Sequence, residues 1–363
     1  MSLLDRLVAW KNRKIADPRF QAQAVRNPLL RPIARRAAAR SFDLVAGFVY
    51  SQVLSAAVET GLIEAAAEAP VDIEAFAARS GLSVDGAECL LRAAAALRLL
   101  HRQQDGRYGL GEEGAALIGN APVFAMIRHH KALYADLASI TPLLTARRQD
   151  TELSRFWAYQ ADAGPDQAAP YSRLMAETQA LVADEILHSH DFRRHDCVMD
   201  VGGGLGVFLE RAGARHPGLA LRLVDLPPVA ALAKARLEGT QIGARLETFG
   251  IDFHTGPLPT GADLITLIRV LHDHDDGPAL ALLQQVRAAL PRSGRLLVAE
   301  PMAGAAGAER MGDAYFGLYL WAMGRGRPRR ADETASLLKQ AGFRTVRTLP
   351  ARNPLLISAL LAS

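Results

Sequence analysis

Apolar positions along this chain change their period once, near residue 190. Before that point they recur at helical spacing: Phe42, Val45, Val49, Val53 and Leu54 share one stripe of a segment that reads as helix from about 41 to 69. Two further helices are predicted over 71–83 and 87–100, and a short extended piece follows at 107–114, like the wing of a winged helix. Helical spacing resumes from 122 to about 190, with a break around Ala163-Gly-Pro-Asp166. After 190 the pattern becomes short apolar runs at 197–201, 221–225, 246–251, 263–270, 295–299, 344–348 and 355–361, with intervening helical stretches. Alternation of that kind predicts an α/β fold with a doubly wound, Rossmann-like sheet, its last strand antiparallel. The expected organisation is a helical, winged-helix-like domain over 1–115, a helical connector over 116–190 that contributes to a substrate pocket, and the α/β domain over 191–363.

The first of these runs carries the most chemistry. Cys197-Val-Met-Asp-Val-Gly-Gly-Gly-Leu-Gly206 ends a strand in glycines, and Leu223-Val-Asp225 ends the next strand in a carboxylate. Glycines there let the backbone turn sharply and approach a ligand that a Cβ would block. Asp225, followed by Leu226, is placed to accept from two ribose hydroxyls. The glycines give G-x-G-x-G at Gly202, Gly204 and Gly206 but none at 207, so the dinucleotide fingerprint is incomplete, and Asp200 stands two residues before the first glycine.

Downstream, Asp252-Phe253 closes another apolar run, a pairing suited to an adenine: the carboxylate accepts from the exocyclic amine and the ring covers a face. The run 264–271 is apolar apart from Thr266 and Arg269, as a strand buried on both faces requires, and leads directly into His272-Asp273. Functional residues of open α/β sheets gather at the carboxyl ends of strands, where His272 falls.

The D-x-G-G-G-x-G pattern resembles motif I of the class I S-adenosylmethionine-dependent methyltransferases. Together with V-D-L-P, G-x-D-F, L-H-D-x-x-D and G-R-L-L-V-A-E, and with the helical region ahead of them, it resembles the plant-type small-molecule O-methyltransferases and their bacterial relatives. The resemblance implies S-adenosylmethionine as co-substrate, with Asp200, Gly202, Gly204, Asp225, Leu226, Asp252, Phe253 and Arg269 on the cofactor side. It implies His272 as the general base that takes the acceptor's hydroxyl proton, and Glu300 as the carboxylate that flanks and orients it. It also implies a homodimer built through the amino-terminal domain. Two departures stand out: Arg269 replaces the usual lysine, and Gly326-Arg-Pro-Arg-Arg330 offers no second flanking carboxylate. The segment 41–54, with Ile-Arg-Val-Leu-His-Asp-His-Asp-Asp, resembles the carotenoid O-methyltransferases of purple photosynthetic bacteria, which implies a tertiary hydroxyl of an acyclic hydroxycarotenoid as acceptor. A bacteriochlorophyll precursor and an aromatic polyketide hydroxyl are alternatives. Outside enzymes, a silent cofactor-binding protein and a winged-helix regulator are the rivals.

Composition narrows these readings. The chain has 363 residues, half of them hydrophobic, enough for two domains with cores of their own. Two cysteines, Cys89 and Cys197, both in apolar sequence, predict no disulfide framework and a cytoplasmic protein. Alanine-rich runs are broken by Arg or Glu, so neither a membrane-spanning stretch nor a signal peptide is expected. Nucleic acid is not expected as a partner, since Arg92 and Arg98 leave the winged-helix-like unit little cationic surface. No metal is expected either: consecutive side chains of His272-Asp-His-Asp-Asp276 diverge, and no paired ligand motif accompanies them. The stretch 1–40 is basic and amphipathic. Leu3, Leu4, Leu7, Val8 and Trp10 stand beside Arg6, Lys11, Arg13 and Lys14, which suits peripheral contact with anionic lipid and equally a solvated helix face. The stretch 311–323 is apolar nearly all round, as a pocket wall or a dimer interface would be.

Overall fold

The computed structural model describes residues 2–147, 150–156 and 165–363, and the chain divides into two compact units, 1–121 and 122–363. The first unit is helical. Helices α1 (Leu3–Ala16), α2 (Pro18–Arg26) and α3 (Arg31–Glu59) lead into α4 (Leu62–Glu68), α5 (Ile73–Ser80) and α6 (Val84–Ala96). A two-stranded wing follows, β1 (Leu100–Arg102) against β2 (Tyr108–Leu110), and then α7 (Glu112–Ile118). The helix expected over 41–69 is two helices, because Gly61 adopts a left-handed φ of 66° between them. Asp72 and Ser83 start α5 and α6 by accepting the backbone N–H groups of Ala75 and Gly86, the capping that Asp and Ser provide best.

α3 corrects one expectation. Among the described residues it is the one helix long and apolar enough, by length and composition, to cross a membrane. Its sequence shows no unbroken apolar run because Arg40 and Asp43 intervene. Cys89 is exposed in spite of its apolar sequence neighbours, whereas Cys197 is buried; both are free.

The second unit begins with helices α8 (Ala121–Leu137), α9 (Ile140–Thr145), α10 (Glu152–Phe156) and α11 (Pro165–Ser189). The break expected at Ala163-Gly-Pro-Asp166 falls partly outside the described residues; α11 begins at Pro165. Then come β3 (Cys197–Val201), α12 (Val207–Arg215), β4 (Ala220–Asp225), α13 (Pro227–Leu237), β5 (Leu246–Gly250), β6 (Leu264–Ile268), α14 (Asp276–Ala289) and β7 (Arg295–Glu300). α15 (Gly317–Met323), α16 (Ala331–Gln340), β8 (Val346–Thr348) and β9 (Ser358–Ala362) complete it. The sheet order is β5-β4-β3-β6-β7-β9-β8. The strands from β3 to β7 pair in parallel, and β9 is antiparallel to both of its neighbours.

Strand periodicity builds the core on both faces. Met199, Val201, Ile265, Leu267 and Val298 pack with α14 and α16 through Leu282, Leu283, Val286 and Leu338. Val198, Leu264, Ile268 and Leu297 face the other way, onto Ile186 of α11 and Phe208 and Leu209 of α12. Each such Leu or Ile stabilises the fold by roughly 1.5–3 kcal/mol relative to exposure. Burial on both faces holds the carboxyl ends of β3, β4 and β6 in fixed register, and the candidate site is built on those ends.

Candidate active site

The loop after β3 is shaped by glycine. Gly202 has φ of 71°, and a Cβ there would lie 2.6 Å from Cγ2 of Val270, so both conformation and space call for glycine. Its N–H donates to the Val224 carbonyl at 2.8 Å. Gly206, also left-handed, opens α12. At the end of β4, Asp225 accepts the Gly204 N–H at 2.7 Å through Oδ2 and the Leu226 N–H at 2.8 Å through Oδ1. Burial pushes the Asp225 carboxyl up to about 6, against the pull of those two N–H groups. Asp200 lies beneath the loop. It accepts the Thr266 hydroxyl at 2.6 Å, and burial, opposed by that bond and aided by the charge of Asp225, pushes it up to about 7.

A cavity of about 640 Å³ opens above these strand ends, within the range that holds a nucleoside-sized ligand. Gly202, Gly204, Asp225, Leu226, Asp252, Phe253 and Arg269 all line it. Asp200 does not reach it, and neither His272 nor Glu300 is among its lining residues. Asp252 turns its carboxylate onto the His254 N–H at 2.8 Å. The Phe253 ring meets His254 and His274, with centroids 4.7 and 5.6 Å away. Burial pulls His274 down to about 4 despite the opposing charge of Asp273, so its ring is neutral at pH 7. Arg269 is one of two non-glycine residues with positive φ among the described residues, at 56°, a strained conformation of the kind that gathers at functional sites. Its guanidinium donates to the Thr178 hydroxyl at 2.8 Å and the Met175 carbonyl at 3.2 Å, fastening the end of β6 to α11.

β6 runs into a single 3₁₀ turn, Leu271–Asp273, which carries the base candidate. The His272 side chain is 7% exposed. Its Nδ1 lies 2.6 Å from Glu300 Oε2 and its Nε2 lies 2.9 Å from Asp273 Oδ1. Charge attraction to the ring is the larger contribution of both carboxylates. Burial alone would pull the imidazole down; the Asp273 and Glu300 carboxylates outweigh it and push it up to about 10. Glu300 also holds the turn's backbone, its Oε1 accepting the N–H groups of Leu271 at 2.7 Å and Val270 at 3.3 Å. Asp273 both touches His272 and lines the cavity, and so connects the two.

An aromatic face covers the other side of His272. The stretch expected as one helix over 311–323 is a π-helical segment, Arg310–Phe316, continued by α15. Insertions of this wider helix often mark functional sites. Phe316 sits with its ring centroid 5.9 Å from that of His272. Behind it, Tyr315 and Tyr319 each meet a histidine of α8 at 2.7 Å, His130 and His129 respectively. Burial pulls His129 down to about 4 and lowers His130, which leaves both rings neutral.

The sequence reading missed these histidines, and it missed Met175 and Gln179 of α11, which line the cavity. No spacing motif marks them, since they reach the site through tertiary packing. His254 and His274 were more accessible to sequence reasoning, because each stands next to a motif residue.

Residues 151–344 match the O-methyltransferase domain and residues 42–120 the O-methyltransferase dimerisation domain. The chain belongs to this O-methyltransferase family. It is 44% identical over 95% of its length to demethylspheroidene O-methyltransferase of Cereibacter sphaeroides, of which 92% is covered. It is 41% identical to the protein of the same name from Rhodobacter capsulatus, covering 92% of this chain and 84% of that one. Among solved structures, mitomycin 7-O-methyltransferase superimposes with a TM-score of 0.78 at 26% identity, covering 91% of this chain and 99% of that one. The fold expected from the sequence, a helical dimerisation domain followed by an α/β methyltransferase domain, is the fold observed. In this O-methyltransferase, α3 from Phe42 onward lies in the dimerisation domain, and Phe42, Leu44, Val45 and Phe48 are exposed on it.

Proposed function

We propose that this enzyme transfers a methyl group from S-adenosylmethionine to the tertiary hydroxyl of an acyclic hydroxycarotenoid, with His272 as general base. The acceptor reading is carried by the 44% and 41% identity to two demethylspheroidene O-methyltransferases over most of each chain. The aromatic face of Tyr315, Phe316 and Tyr319 beside the base suits a long apolar acceptor. The donor reading is supported by a 26%-identical calicheamicin-biosynthesis methyltransferase solved in its SAH-bound form, with a TM-score of 0.75.

The cavity residues fit the donor. Gly204 lines the cavity with open space at its Cβ position, Asp225 ends β4 as an acceptor for ribose hydroxyls, and Asp252 with Phe253, His254 and His274 makes a half-polar, half-aromatic cradle for adenine. When bound, the donor supplies an electrophilic methyl carbon on a sulfonium. The protein then aligns the acceptor oxygen with that carbon and excludes water. The acceptor's proton passes to Nε2 of His272 as the oxygen–carbon bond forms and the carbon–sulfur bond breaks, its electron pair leaving with the sulfur, and Glu300 at Nδ1 stabilises the resulting imidazolium. Asp273 stands between cavity and Nε2, so an incoming hydroxyl meets carboxylate and imidazole together. Before transfer, the second positive charge entering the site favours release to solvent of the proton already held on His272, which frees Nε2 to accept.

We further propose that the chain rests on an anionic bilayer through α1. The first 40 residues hold ten basic and two acidic side chains, while the remaining residues hold 32 and 36, so the cationic charge is concentrated on this segment. Leu3, Leu4, Leu7 and Trp10 are exposed beside it. Lys11 and Lys14 lie on the same face at its carboxyl end, one turn beyond Leu7 and Trp10, where their stems can lie along lipid while the ammonium groups stay at the headgroups. Co-sedimentation with vesicles of equal parts phosphatidylglycerol and phosphatidylcholine tests this: binding that falls with salt and is lost on replacing Arg6, Lys11, Arg13 and Lys14 by Gln supports it. Equal binding to pure phosphatidylcholine, or none to either, overturns it.

For the acceptor, labelled methyl transfer to a hydroxylated acyclic carotenoid in detergent is compared with transfer to a phenolic polyketide. Label in the carotenoid supports the reading; label in the phenol alone replaces the acceptor class.

A further inference from the structure

Where the resemblance leads one to expect a second carboxylate beside the base, Gly326-Arg-Pro-Arg-Arg330 brings cations to the backbone of the same turn. We propose that Arg329 is a positioning residue for methyl transfer, fixing from behind the turn that carries His272 and Asp273. The inference rests on His272 being the base.

Arg329 is 3% exposed. Its Nη1 donates to the Leu271 carbonyl at 2.9 Å, its Nη2 to the His274 carbonyl at 2.7 Å, and its Nε to Asp276 Oδ1 at 2.9 Å. The Arg327 N–H donates to the His272 carbonyl at 2.9 Å, between those two points. Thus the turn is held at both kinds of backbone group: its leading N–H groups go to Glu300 and its carbonyls to residues 327 and 329. Buried backbone groups left unpaired are costly, so this pairing leaves the turn one arrangement. In that arrangement, the two carboxylates lie against opposite nitrogens of one ring.

Only a planar, forked cation meets two carbonyls and a carboxylate at once; a lysine ammonium is a point charge on a flexible stem. Gly326 keeps the strap close. With φ of 73°, it sits where a Cβ would be 2.1 Å from the His272 carbonyl oxygen. The groups facing the His272 ring are Asp273 from the turn, Glu300 from β7, the Phe316 ring from the π-helical segment and His274 one residue beyond the turn. Arg329 touches the turn's backbone.

The test is Arg329→Lys in the full-length enzyme, read as kcat, donor KM, thermal midpoint and the pH profile of kcat. The expected result is a kcat lower by about 30- to 100-fold, the size of effect produced by small misplacement of a reacting group, with donor KM within about threefold of wild type. The rising limb of the pH profile should also move to lower pH, because the ring is released from its carboxylates. Asp276→Asn, which leaves both carbonyl contacts in place, should stay within about threefold of wild type. If Arg329→Lys does not fold, Gly326→Ala presses on the His272 carbonyl, which lies between the two that Arg329 holds, and should give the same signature. An unchanged profile, or a loss that follows only the folded fraction, overturns the proposal. Turnover surviving in His272→Ala would overturn the base reading instead, so the two failures are distinguishable.

Discussion

Glu300 uses its two oxygens on one turn: Oε2 lies 2.6 Å from Nδ1 of His272, and Oε1 accepts the Leu271 N–H at 2.7 Å. One carboxylate thereby sets both the charge on the imidazole and the backbone from which it projects. Glu300→Gln keeps the shape and an acceptor while removing the charge. We expect kcat to fall by about 10- to 100-fold at its optimum, and the rising limb of the pH profile to move below that of wild type, since one of two carboxylates holding the proton is gone. A limb that stays in place contradicts this role for Glu300.

If Asp225 holds the donor's ribose as proposed, donor binding should have its own pH dependence. Its carboxyl is pushed up to about 6 by burial, and the ionised form is the better acceptor for ribose hydroxyls. Calorimetric affinity for S-adenosylhomocysteine should therefore strengthen as pH rises from 5 to 7, by about tenfold. Asp225→Asn should bind more weakly and lose that limb.

His272 also links stability to pH. Its folded-state value of about 10 lies above the ordinary 6.5, so its contribution is complete below about 6.5 and is lost as pH rises through about 10. The thermal midpoint of wild type minus that of His272→Gln should shrink between those limits. A constant difference would place the charge pairing elsewhere.

Gly202→Ala confronts both a left-handed φ and the Val270 side chain. The expected cost is about 1–3 kcal/mol in urea unfolding, with weaker donor binding. Val270→Ala added to it should recover the steric part and leave the backbone part.

The fold and the cavity lining at the strand ends were legible in the sequence for one reason: both depend on short-range pattern. Buried parallel strands read as apolar runs, and the glycines and Asp225 sit at their ends because the backbone must turn there. The aromatic face beside His272 was much less legible. His129 and His130 of α8 meet Tyr319 of α15 and Tyr315 of the π-helical segment across 190 and 185 residues of chain, and the π-helical widening that sets Phe316 over His272 leaves no mark in an apolar stretch. Arg329 lay in a segment read as lacking a carboxylate, and its backbone contacts became visible once the turn's carbonyls could be followed to their donors.

The central claim is that His272 takes the acceptor's proton. Its most direct test is the single-turnover rate of methyl transfer to a hydroxylated acyclic carotenoid by His272→Ala, with donor saturating and donor affinity measured in parallel. A rate lower than wild type by about 10²- to 10⁴-fold with donor affinity unchanged is the predicted result. A rate within about threefold of wild type would contradict the claim and remove His272 from the chemistry.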